Sequence, residues 1–366
     1  MTVQEASATK GATRTPWQSA IRNPQSAIQR KLTQLTHHIH TLPIVVLMPH
    51  SRCNCRCVMC DIWKSNHLKR EISREDLQRH MADFDRLDVR RVVLSGGEAL
   101  MHSNLWALCE LLKERGIAIT LLSTGLLLKR HAADVVRWTD DVIVSLDGSR
   151  ALHDEIRNIP GAYDKLAEGV AALRAQRADF PISCRCVLQR RNFTDLPNII
   201  AAAHELNLDS ISFLSADVSS EAFNRPQPWG DERVSDVALS PNEVAAFDRI
   251  LEGVIADRAA DFASGYIAES PDKLRRLVRY YHALNGAGDF PPTRCNAPWV
   301  STVVEADGTV RPCFFHHALG NIRDNSLADI LNSPEAIAFR RNLDMATDPI
   351  CRKCVCTLHV GARQEV

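Results

Sequence analysis

Short apolar runs alternate with helical spacing from residue 44 to residue 217. The runs are "IVVLM" (44–48), "VVLSGG" (92–97), "IAITLLSTG" (117–125), "DVIVSLDG" (141–148), "PISCRCVL" (181–188) and "DSISFLSAD" (209–217). Each is short, nearly continuous in apolar residues and bounded by turn formers, which predicts six buried strands. Between them "SNLWALCELLKERG", "HAADVVRW", "AYDKLAEGVAALRAQ" and "DLPNIIAAAHELN" place apolar residues at helical spacing. Strand–helix–strand repetition predicts an α/β fold with a parallel sheet covered by helices. Six such units suit a doubly wound sheet or an incomplete barrel. In both, chemistry gathers at the C-terminal ends of the strands.

The rhythm divides the chain. Residues 1–40 read as an N-terminal extension, with about the first 15 expected to be disordered. Residues 41–240 form the repeating core. Residues 241–290 read as a helical linker. Its first helix has Ser240 as N-cap and Pro241 in the first turn, and its second ends on glycine. Residues 291–366 change character. "PPTRCNAPWVSTVVEADGTVRPCFF" reads as a hairpin turned by Asp307-Gly308, followed by a helix and "CRKCVC". This predicts a small, cysteine-bearing α+β domain.

Composition narrows the partners. Lys+Arg and Asp+Glu both number 44, so nothing suggests a grip on nucleic acid or an anionic membrane. No apolar run approaches the roughly 20 residues that span a bilayer. The polar N-terminus lacks a secretory h-region, so the expected location is the cytoplasm. In a reducing compartment, 12 cysteines point to metal ligation or thiol catalysis rather than disulfides.

Four of them, Cys53, Cys55, Cys57 and Cys60, stand directly after the first predicted strand. The spacing Cys53-x3-Cys57-x2-Cys60 can fill three corners of a cubane iron–sulfur cluster and leave one iron open. A structural zinc site is the alternative. It would require Cys55, wedged between two other ligands, as the fourth thiol. C-x3-C-x2-C after the first strand of a βα repeat resembles the signature of the radical S-adenosylmethionine (SAM) enzymes. That resemblance implies an incomplete (β/α)6 TIM-like barrel and a [4Fe–4S] cluster on Cys53, Cys57 and Cys60. SAM would chelate the open iron, Met59 would lie near the adenine, and Cys55 would be spare.

The same resemblance extends to other strand ends. "SGGE" (95–98) is similar to the family's GGE motif, which makes Gly96, Gly97 and Glu98 candidates for the SAM amino group; Ala99 stands where most members have proline. Thr124, Ser145 and Arg157 are candidate contacts to the ribose or carboxylate of SAM. Asp147 points to the same rim, as a substrate contact or a loop element. Cys109, Cys184 and Cys186 read as core residues.

Cys295, Cys313, Cys351, Cys354 and Cys356 form the second set. "GTVRPC" and the spacing Cys295-x17-Cys313, then Cys351-x2-Cys354, resemble a SPASM or shorter twitch domain, as in members of the 2-deoxy-scyllo-inosamine dehydrogenase type. This implies one auxiliary [4Fe–4S] cluster on Cys295, Cys313, Cys351 and Cys354. Cys356 is the rival to Cys354, and zinc on the same thiols is the plainer alternative. His316 and His317 lie beside Cys313 as possible ligands or substrate contacts.

The resemblance implies an oxidoreductase in which a 5′-deoxyadenosyl radical abstracts hydrogen from substrate. A flavodoxin- or ferredoxin-type protein would supply the electron. The expected reaction is dehydrogenation of a small polar metabolite. The alternatives are maturation of a peptide, against which the short extension counts, and a non-enzymatic iron–sulfur carrier or zinc scaffold.

Overall fold

The computed structural model describes residues 24–361. All six predicted strands are present: β1 (Ile44–Leu47), β2 (Arg91–Leu94), β3 (Ala118–Ser123), β4 (Asp141–Ser145), β5 (Ile182–Leu188) and β6 (Ser210–Ser215). Each pairs in parallel with the next. The six βα units make an incomplete barrel. Burial explains the strand composition. In β5, Ile182, Cys184, Cys186 and Leu188 are buried and alternate with half-exposed residues. Cys184, Cys186 and Cys109 all lie in the core, where burial pushes their thiols up; Cys109 reaches about 12.

A short helix, Arg150–Arg157, lies outside the helical stretches read from the sequence. It is mostly polar and buries only His153, Ile156 and Arg157. It nevertheless supplies the backbone carbonyls that hold the first cysteine loop.

The expected hairpin is β7 (Ser301–Val304) and β8 (Thr309–Arg311), antiparallel, with Gly308 in the left-handed region at φ +89°. The structure adds two features. A two-residue strand, β9 (Gly320–Asn321), extends it, and β7 pairs in parallel with β1, Ile44 opposite Ser301 and Leu47 opposite Val304. The sheet order is therefore β6-β5-β4-β3-β2-β1-β7-β8-β9. The C-terminal segment continues the core sheet.

The linker helices Pro241–Asp257 and Pro271–Leu284 also have a structural task. Ser240 and Glu243 close a capping box at the first. From the second, the Tyr281 hydroxyl donates to Leu188 O at 2.6 Å and accepts from Ala216 N at 3.0 Å. These bonds tie together the C-terminal ends of β5 and β6.

At the N-terminus, the helix Pro24–Thr36 leads into a segment anchored on the C-terminal region. Asn332 bonds both backbone groups of Ile39, and buried Arg340 donates to His37 O at 2.7 Å. The expected disorder of the first residues lies outside the described residues. Among the described residues, no helix is long and apolar enough to cross a membrane.

Candidate functional site

The loop leaving β1 carries Cys53, Cys55, Cys57 and Cys60 across the C-terminal mouth of the barrel. Four attachments fix its path. Asn66 mimics a strand partner, accepting from Cys53 N at 2.9 Å and donating to Cys53 O at 2.8 Å. Arg56 N and Val58 N donate to Arg157 O and Ile156 O, both at 3.0 Å. Gly97 lets β2 approach: a Cβ there would lie 2.1 Å from Arg52 O, so no other residue fits. Glu98 N donates to that same carbonyl at 2.9 Å.

The charges around the loop are buried. Arg157, 7% exposed, ion-pairs with fully buried Asp147 and reaches Cys57 Sγ at 3.5 Å. A hydrogen bond from Cys55 brings the Cys57 thiol down to about 7; burial opposes this and Arg157 assists it. Cys55 thus touches a predicted ligand, with its own thiol pushed up by that bond and by burial. Burial pushes Cys60 up to about 12 and raises Cys53 as well.

Glu98 has an arrangement that the motif alone does not reveal. It is fully buried, and its carboxylate accepts from Thr124 Oγ1 (2.6 Å), Thr124 N (2.8 Å), Ser123 Oγ (3.1 Å) and Leu100 N (3.1 Å). Burial raises its pKa against those donors. The side chain clasps the ends of β2 and β3 together. Thr124 also lies 3.0 Å from Asn54 Oδ1. Ser145 ends β4 on its half-buried face, and Met59 Sδ lies 3.8 Å from Gln189 Nε2.

Three residues missed by the sequence reading are Asn54, Gln189 and Ser215. Asn54 Nδ2, Gln189 Oε1 and Ser215 Oγ are buried with no hydrogen-bond partner among the described residues. Such atoms are costly in a finished core. They lie on the cysteine loop and just beyond or at the C-terminal ends of β5 and β6, which is where a polar cofactor would satisfy them. The strand-end rule that singled out Ser145 on β4 would have found two of them on β5 and β6. With three thiols on one loop, a glycine cradle and unpaired polar atoms, the residues fit a cluster and SAM.

The second cysteine set also converges. Cys295, Cys313, Cys351, Cys354 and Cys356 are all half-buried free thiols. Burial is the main cause that raises the first four, taking Cys313 to about 11, and neighbouring thiols of the same set add to it. Ala297 N donates to Cys295 Sγ at 3.4 Å, and Cys354 Sγ donates to Cys356 O at 3.2 Å. Asp348 caps the turn at Cys351, accepting from its backbone N at 2.8 Å. His316 Nε2 lies 3.3 Å from Cys351 Sγ. Several thiols from three segments, none in a disulfide, suit a thiolate-bound metal cluster.

Between the two sets lies a cavity of about 330 Å³. Gly96 and Gly97 line it from the barrel; Phe314, Phe315, His316 and His317 line it from the segment after β8. Phe223 closes one side, stacked on Phe314 and edge-on to Phe315. Its three arginines are all paired: Arg70 with Asp307 (2.7 Å), Arg225 with Asp217 (2.7 Å) and Arg311 with Glu305 (2.8 Å).

Two family profiles match the chain. The radical SAM superfamily profile matches residues 47–201, and that of the SPASM iron–sulfur cluster-binding domain matches 295–355. The chain is 24% identical to the Fe-coproporphyrin III synthase of Methanosarcina barkeri, over 88% of this chain and 84% of that protein. It is 28% identical to the PqqA peptide cyclase of Rhodopseudomonas palustris, over 86% and 79%. The crystal structure of Streptococcus suis SuiB bound to the precursor peptide SuiA shares the fold at 14% identity, with a TM-score of 0.62 over 94% of this chain and 79% of that one. A [4Fe–4S] cluster, SAM and auxiliary iron–sulfur chemistry come with these two domains. The protein belongs to the radical SAM superfamily and carries a C-terminal SPASM domain.

Proposed function

We propose that this radical SAM enzyme modifies a peptide, with Cys53, Cys57 and Cys60 holding the SAM-binding cluster and Cys295, Cys313, Cys351 and Cys354 holding one auxiliary cluster. When bound, the first cluster and SAM supply a 5′-deoxyadenosyl radical that abstracts hydrogen from substrate. The core would span 41–240, the helical linker 241–290 and the auxiliary domain 291–366. A flavodoxin- or ferredoxin-type protein would be the electron donor.

The chain's own residues have distinct tasks in this reading. Gly96 and Gly97 expose backbone to the SAM amino group. Thr124 and Ser145 offer hydroxyls at the strand ends, and Met59 packs toward the adenine. Glu98 acts through Ser123 and Thr124, whose positions it fixes. The Cys55 hydrogen bond, assisted by Arg157, lowers the Cys57 thiol toward the thiolate form that binds iron. The phenylalanines and the short polar wall of the cavity hold substrate and exclude water.

The observation that carries the peptide reading is the pairing of every cavity arginine with a carboxylate. A near-neutral peptide segment suits such a wall. The relationship to PqqA peptide cyclase over most of both chains supports it. These findings displace dehydrogenation of a small metabolite as the leading reading. A tetrapyrrole is the second reading, because similarity to Fe-coproporphyrin III synthase also runs nearly end to end. A macrocycle bearing several carboxylates, however, needs free cations, and the cavity arginines are already engaged.

The test is anaerobic incubation of the reconstituted protein with reductant, SAM and one candidate substrate at a time. The candidates are peptides encoded beside its gene, iron coproporphyrin III and aminocyclitols. The peptide reading expects 5′-deoxyadenosine and a changed peptide mass. Turnover with the macrocycle or the cyclitols, and with no peptide, would overturn it.

A further inference from the structure

His316 stands at the junction of two regions. Its ring lines the cavity, yet the residue is only 3% exposed. Nε2 lies 3.3 Å from Cys351 Sγ and 3.8 Å from Asp348 Oδ1. The edge of Phe339 meets the ring, with centroids 4.9 Å apart, and fixes its tilt. Asp348 is itself held by the backbone of Ile350 and Cys351. The imidazole therefore has one well-defined orientation. Once Cys351 binds iron as a thiolate, its sulfur accepts hydrogen bonds and offers none, so the proton between the two atoms would sit on Nε2.

We propose that His316 donates an Nε2–H···S hydrogen bond to the cluster ligand Cys351 and so sets the reduction potential of the auxiliary cluster from the substrate side. The inference rests on Cys351 being an auxiliary ligand. Hydrogen bonds to cluster sulfurs favour the reduced, more negative state and raise the potential. The effect is strongest where water is excluded, as it is around this ring. Because His316 also forms part of the cavity wall, a bound substrate that displaces the ring would change the potential of the cluster. His316 is thus a positioning residue that acts on the iron through Cys351.

The experiment is a redox titration of the reconstituted full-length protein followed by electron paramagnetic resonance. The SAM-binding cluster is recognised by its spectral change when SAM is added. His316→Phe keeps the ring volume and the contact with Phe339 but has no donor. It should retain full iron and shift the auxiliary midpoint to more negative potential, whereas His316→Gln, which keeps an N–H, should shift it less. An unchanged midpoint in His316→Phe overturns the proposal, and so does loss of the auxiliary iron, which would make His316 a ligand. Cys351→Ala separates the underlying assignment: if it keeps full iron, Cys351 is not a ligand and the reading beneath the proposal fails. The unaltered protein gives an independent check. Pulsed nuclear–electron double resonance should detect an exchangeable, nitrogen-bound proton coupled to the reduced auxiliary cluster, and its absence overturns the proposal.

Discussion

Asp147→Asn isolates the charge that holds the cysteine loop. The carboxylate is fully buried and does two things: Oδ1 accepts from Val187 N at 2.8 Å, and Oδ2 pairs with Arg157. Asparagine keeps the shape and the first bond. It removes the only carboxylate among the described residues that pairs with Arg157, a guanidinium 7% exposed. Breaking a buried pair this way costs about 3–5 kcal/mol, because the remaining charge is left uncompensated. Cys57, 3.5 Å away, modulates that cost. Its thiol is depressed to about 7 from 9.0, so its contribution to stability is present above 9.0 and lost as pH falls through 7. Asp147 opposes that depression, so its removal lowers Cys57 further and gives Arg157 a thiolate partner. The destabilisation by Asp147→Asn should therefore be larger at about pH 6, up to about 3–5 kcal/mol, and clearly smaller at about pH 9. Urea unfolding of the cluster-free protein, followed by circular dichroism under anaerobic conditions, measures both values. A loss under about 1 kcal/mol at both pH values, or a penalty that grows with pH, refutes the reasoning.

Other residues give sharper or simpler outcomes. Cys55→Ala should keep four irons on the first site and still cleave SAM, whereas Cys57→Ala should lose both, read by iron content and 5′-deoxyadenosine. Gly97→Ala should reduce SAM cleavage at least tenfold while sparing auxiliary iron, since its Cβ pushes on Arg52 O and displaces the loop. Cys109 is held up to about 12 from 9.0, so its protonated form stabilises the fold fully below 9.0 and that contribution is lost between 9.0 and 12. Cys109→Ala should therefore flatten the alkaline part of the stability curve, and an unchanged slope counts against the assignment. Arg70→Ala should leave both clusters loaded but weaken peptide turnover, seen as a raised KM, because Arg70 ties the barrel wall to the Asp307 turn.

Much of this architecture is legible because its signals are local. Six apolar runs mark six strands, and C-x3-C-x2-C marks one loop regardless of how the rest folds. What escapes is non-local or lacks a pattern. Nothing in "STVV" states that it will lie beside "IVVL", since that pairing joins distant parts of the chain. The helix Arg150–Arg157 offers only a narrow apolar stripe, Leu152 and Ile156 one turn apart, in a short and mostly polar segment. Glu98 illustrates a different limit. The motif identifies it as functional, but only the fold reveals that Ser123, Thr124 and Leu100 already occupy its oxygens. Asn54, Gln189 and Ser215 are single polar residues, conspicuous only once their surroundings are seen to be dry.

The pairing of β7 with β1 has a mechanical consequence. One strand leads into the first group of cysteines, and its hydrogen-bonded neighbour leads through a tight turn to Cys313. The ladder runs on past the strand ends, with Met48 N donating to Val304 O at 2.8 Å. The placement of the two cysteine groups relative to each other is therefore tied to the register of adjacent strands, about 4.8 Å apart, and to the loops that leave them. Chain length added to the connection 258–270 would leave that register as it is. A one-residue slip of β7 along β1, by contrast, would turn the hairpin over and carry Cys313 away from its partners.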